Sequence, residues 1–85
     1  MDLVENKGGY VLTDLGRTYE HLDNIFEMEE PDVIKNITAI TRFHGVTLKN
    51  KMLGVELHSP EEYRHCRIRL ERCLSHLDSM RVFYS

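Results

Sequence analysis

The sequence predicts an α+β domain of ferredoxin-like βαββαβ order, with two helices on one face of a four-stranded antiparallel sheet. Three observations lead there. An amphipathic helix with a strong start signal occupies Ser59 to Met80, a second apolar helical stripe follows Tyr10 to Thr13, and the segments between and after them are rich in β-branched and apolar residues. The 85 residues make one domain. A core of that size is small enough that self-association is an expected source of added stability.

Residues 1–8 read as a flexible arm ending in the turn signal Gly8-Gly9, and residues 9–85 as a single α+β domain. Tyr10-Val11-Leu12-Thr13 is a short first strand. Thr13 or Asp14 caps the next helix, whose stripe is Leu15, Tyr19, Leu22 and Phe26, supported by Thr18 and Ile25. That helix stops by Glu30, because the proline ring of Pro31 disfavours helical geometry at the residue before it. Glu27, Glu29, Glu30 and Asp32 then gather at its C-terminal end, where negative charge meets the wrong end of the helix dipole. A local rule broken in this way marks a candidate partner-facing patch.

Val33 to Phe43 reads as a strand, with Ile37, Ala39, Thr41 and Phe43 on one side and Thr38, Ile40 and Arg42 on the other. Pro31 also suits a first helical position, which would allow a helical turn over Asp32 to Asn36. His44-Gly45 makes a turn, and Val46 to Leu57 returns as a strand interrupted at Lys49-Asn50-Lys51 by either a bulge or a hairpin tip. In the last helix Ser59 is the N-cap, Pro60 the first helical residue and Glu62 the closing member of a capping box. Tyr63, Cys66, Leu70, Cys73, Leu74, Leu77 and Met80 share its apolar face, and Glu61, Arg64, Glu71 and Ser75 its polar one. Arg81 to Tyr84 is expected as a closing strand.

A composition of 41% hydrophobic and 29% charged residues is that of a globular domain, with no apolar run approaching the roughly 18 to 20 residues of a membrane span. The first seven residues hold no cationic leader followed by an apolar run, so a cytoplasmic protein without a membrane partner is expected. Cys66 and Cys73 stand about 10 Å apart along one helix, too far for a disulfide, and both fall on its apolar face. They are expected as buried free thiols in a reducing compartment.

His65, Arg69, Arg72 and His76 recur along one flank of the last helix as a basic stripe, with Arg64 and Arg67 nearby. Guanidinium forks bind carboxylates and phosphates alike. Arg69, Arg72 and His76 are therefore the candidate partner-binding residues, with Glu27, Glu29 and Glu30 as a second patch of opposite charge. A net charge of −3 argues against bulk attraction to nucleic acid, and no aromatic interleaves the stripe for base stacking. Cys73 and His76 are close enough to share a metal, but two further ligands would have to come from residues such as His44 and His58. As nucleophile and base the pair lacks an orienting third residue, and its thiol faces the core. Gly8-Gly9 precedes a strand instead of following one, which rules out a phosphate-cradling loop. No catalytic residue, metal or cofactor is assigned.

The run Tyr10-Val11-Leu12-Thr13-Asp14-Leu15-Gly16-Arg17 resembles the last wing strand and following helix of winged-helix DNA-binding regulators. In those regulators the recognition helix lies upstream of the wing, and only nine residues precede Tyr10 here. The expected element order is also similar to that of ACT-type ligand-binding domains, with Asp14-Leu15-Gly16 in place of their longer turn before the first helix. Taken together, the expectation is a small non-enzymatic regulatory or adaptor module that contacts another protein and forms a homodimer. The alternatives are a nucleic-acid-binding regulator using the arginine flank, and an ACT-like sensor with its ligand near Asp14 and Gly16.

Overall fold

The computed structural model describes residues 2–6 and 8–80. The chain runs β1 (Asp2–Asn6), β2 (Gly9–Thr13), α1 (Arg17–Asp23), α2 (Pro31–His44), β3 (Thr47–Lys49), β4 (Met52–Leu57), a 3-10 turn over Pro60–Glu62, and α3 (Tyr63–Asp78). The strands form one antiparallel sheet in the order β1-β2-β4-β3. The α+β class and the four-stranded antiparallel sheet therefore hold, whereas the ferredoxin-like order does not. Two hairpins are joined through β2 and β4, and the described residues hold three α-helices.

The largest correction is Val33 to Phe43, which is helix and not strand. Its β-branched content favours a strand locally, but Val33, Ile37, Ile40 and Thr41 are buried at helical spacing. Both ends carry helix punctuation. Pro31 opens α2, and Gly45 at φ 66 closes it. The Gly45 N–H donates to the Arg42 carbonyl and the Val46 N–H to the Thr41 carbonyl, at 3.1 and 2.8 Å, which is the Schellman arrangement. This moves the acidic cluster too. With α1 ending at Asp23, Glu29 and Glu30 precede the N-terminus of α2 and Asp32 lies in its first turn, where negative charge is favourable.

Where a loose arm was expected, Asp2–Asn6 pairs with β2 from Asp2↔Thr13 to Asn6↔Gly9. The interruption at Lys49-Asn50-Lys51 is a hairpin tip: Lys49 pairs with Met52, and Asn50 and Lys51 both have positive φ, at 53° and 63°. Two left-handed residues in a two-residue loop match the twist of the flanking strands. The closing strand expected at Arg81 to Tyr84 lies outside the described residues. Ahead of α3, Ser59 makes no side-chain cap, and the Glu62 carboxylate instead accepts the His58 N–H at 2.9 Å. Only the glutamate half of the expected capping box is made, and to the residue before Ser59.

The core lies between one sheet face and the helices. Leu12, Leu53, Val55 and Leu57 meet Leu22, Val33, Ile37, Cys66, Leu70, Cys73 and Leu77. Every predicted apolar-face residue of α3 is buried or packed partly buried against this core. Both cysteines are free and buried. Burial, with a smaller contribution from the nearby Asp14 carboxylate, pushes the Cys73 thiol up to about 11. A thiol protonated in the fold but free to ionise when unfolded stabilises the fold below its ordinary value of about 8.5, and that contribution is lost as pH rises toward the folded value. Urea titrations should accordingly show stability falling through this alkaline window, with a shallower fall in Cys73→Ala.

The link from β2 to α1 is tightly specified. Thr13 Oγ1 donates to the Leu53 carbonyl at 2.7 Å and accepts the Leu15 N–H at 3.2 Å. The Asp14 carboxylate accepts the N–H groups of Gly16 and Thr18 at 3.0 and 2.9 Å. These bonds hold Leu15 at φ 57, a region a leucine adopts only at a cost of about 1 to 2 kcal/mol. Leu15 was expected in the α1 stripe; it precedes the helix and is half exposed.

Candidate functional site

The C-terminal turn of α2 lies against the middle and C-terminal half of α3, and the crevice between them holds the most exposed large apolar side chain among the described residues. Phe43 is 79% exposed, and Ile68 on α3 is 43% exposed. With His44, Arg72, Ser75 and His76 they line a surface depression of about 440 Å³. Phe43 sits edge-on to His44 and to His76, with ring centroids at 5.0 and 6.5 Å. The two imidazoles meet each other edge-on at 5.4 Å and share a hydrogen bond, His44 Nε2 to His76 Nδ1, of 3.1 Å. Such a bond requires at least one neutral ring. Partial burial, then His76, then Arg72 all lower the affinity of His44 for a proton.

Of the predicted partner-binding residues, Arg72 and His76 line this crevice together with Glu71, and Arg69 stands outside its lining. Arg69 lies over the end of α2: a methyl group on Gly45 would meet its Cδ and Nη1 at 3.6 Å. There the guanidinium complements the negative end of the helix dipole. Among the described residues neither Arg69 nor Arg72 is ion-paired, while Arg67 is paired with Glu71 at 3.0 Å. Glu27, Glu29 and Glu30 are exposed at the opposite end of α2, about 20 Å away along a 14-residue helix at 1.5 Å per residue. One chain therefore cannot bring the two charged patches into contact.

Phe43, His44 and Ile68 were not singled out for this site from the sequence. Reading Val33 to Phe43 as a strand placed Phe43 among sheet residues and His44 in a turn. The available signal was the Pro31–Gly45 frame, which turns Phe43 away from the buried α2 positions. Cys73 is separated from His76 by its burial, and no group of three or more metal-ligating side chains occurs among the described residues. The Asp14 carboxylate near the ACT-like turn is occupied by the backbone of Gly16 and Thr18. Among the described residues no helix is long and apolar enough to cross a membrane. Comparison with family models, with curated proteins and with solved structures returns no match for this chain.

Proposed function

We propose that this chain is a non-enzymatic regulatory or adaptor module of the cytoplasm that works by protein–protein contact and forms a homodimer, with the α2–α3 crevice as its partner-binding surface. The observation that carries the reading is Phe43, a phenylalanine 79% exposed and met edge-on by two histidine rings, with Ile68 and Arg72 beside it. Aromatic residues and arginine dominate the energetic centres of protein interfaces. Arg72, which has no ion pair among the described residues, selects with His76 and the nearby Arg69 a partner segment that is apolar with acidic neighbours. Two buried free thiols accord with a reducing compartment.

The test is affinity capture on immobilised protein, with and without nuclease, comparing wild type with Phe43→Ala combined with Arg72→Glu. A polypeptide retained by wild type after nuclease, and lost from the double variant while the melting temperature stays unchanged, is the expected result. Retention that disappears with nuclease would replace this reading with nucleic-acid binding through the same arginines.

A further inference from the structure

The last turn of α2 carries His44 and the last turn of α3 carries His76, each where the negative end of its helix dipole favours a cation. One hydrogen bond joins them, His44 Nε2 to His76 Nδ1 at 3.1 Å, with the ring planes at 88°. Whichever ring donates, the other must keep a bare nitrogen to accept. One proton added to the pair leaves such a nitrogen and makes the bond charge-assisted. A second proton removes the acceptor and sets two cations with ring centroids 5.4 Å apart. Arg72 lines the same depression, and Arg69 lies over Gly45, the residue after His44, so both add to the repulsion. Glu71 lines the depression too but is held by Arg67 at 3.0 Å, and Asp78 at the end of α3 meets His21 of α1 at 3.5 Å. Lys49 of β3 and Glu56 of β4 line the groove on the outer face of the sheet, and Glu61 and Glu62 precede the opposite end of α3.

We infer that the His44–His76 pair is an acid-sensitive clasp that holds the ends of α2 and α3 together and shapes the crevice around Phe43. The inference rests on the reading of that crevice as a partner-binding surface and supplies its regulation. With the clasp closed, Phe43 has an imidazole edge-on at 5.0 Å and a second at 6.5 Å. The second proton parts the two rings, and the wall that His44 and His76 give the depression opens. The sign follows from linkage. His44 holds a proton less tightly in the fold than in the unfolded chain, because of partial burial, then His76, then Arg72. Its contribution to stability is therefore complete above the ordinary imidazole value of about 6.5 and is lost as pH falls toward the folded value.

Nuclear magnetic resonance of the full chain, following the histidine and Phe43 ring signals from about pH 8 to about pH 5, tests the clasp without a partner. In wild type the His44 ring should titrate below the ordinary imidazole range, and the Phe43 signals should move in the same step. His76→Asn places an amide oxygen near the position of Nδ1, which accepts from His44 in either charge state, so His44 should titrate at higher pH in that variant. His44→Gln carries an amide able to donate or to accept, so its melting temperature should fall less than that of wild type between about pH 6.5 and about pH 5. A His44 titration unmoved by His76→Asn would overturn the clasp, and so would equal falls in melting temperature for wild type and His44→Gln. Neither readout involves a partner. Failure here leaves the crevice standing as a binding surface, and failure of the capture experiment leaves the clasp standing.

Discussion

Leu70→Ala should lower the stability of the fold by about 3 kcal/mol, read as a fall in the urea midpoint at unchanged slope. Leu70 is 0% exposed at the centre of the buried stripe of α3, which packs on β2, β4 and α2. Truncation removes transfer energy and leaves a cavity that close-packed neighbours fill only in part. A chain of this length has about 4 to 13 kcal/mol of total stability, so one such change consumes a large share of it. Arg64→Ala, on the exposed side of the same helix, should stay within about 0.5 kcal/mol of wild type. Equal losses at the two positions would mean that the face assignment of α3 is wrong.

Gly9→Ala should cost about 1 to 3 kcal/mol for a different reason, overpacking against backbone. A Cβ at Gly9 would lie 2.8 Å from the carbonyl oxygen of Leu57, in the β2–β4 ladder where Tyr10 pairs with Leu57. No flexible side chain is available to move aside. At Gly8 the backbone is left-handed at φ +78 but a Cβ would meet nothing within 4 Å, so Gly8→Ala should cost only the conformational strain of about 1 to 2 kcal/mol. Amide exchange separates the two, because a displaced ladder weakens protection along β4 in Gly9→Ala and not in Gly8→Ala. Unchanged protection of β4 in Gly9→Ala would contradict the β2–β4 register.

The sequence was informative where one signal dominated. From Tyr63 to Met80 seven apolar positions at helical spacing all proved buried or half-buried, since a long helix against a sheet leaves only one periodicity open to it. In α2 two signals competed, and β-branched content outweighed the helical spacing of Val33, Ile37, Ile40 and Thr41 in the reading although not in the fold. That single substitution of helix for strand changed the topology. It left the sheet to find its fourth strand in Asp2–Asn6, where two adjacent apolar residues between polar ones show no period-two alternation. The β3–β4 hairpin was ambiguous because Lys51 occupies a left-handed position where glycine would have announced the turn. For the candidate site, the basic flank followed from α3 alone. Its union with Phe43 and His44 did not, because it depends on two helices packing side by side, and packing between distant segments has no local signature.

Molar mass by light scattering, in low and high salt, alone and with a mixed pool of short nucleic acids, tests the protein-contact reading most directly. A mass twice that of the chain, unchanged by nucleic acid, is the expected result. A mass that rises with nucleic acid at low salt and falls back at high salt would contradict it, and would assign Arg69 and Arg72 to phosphate.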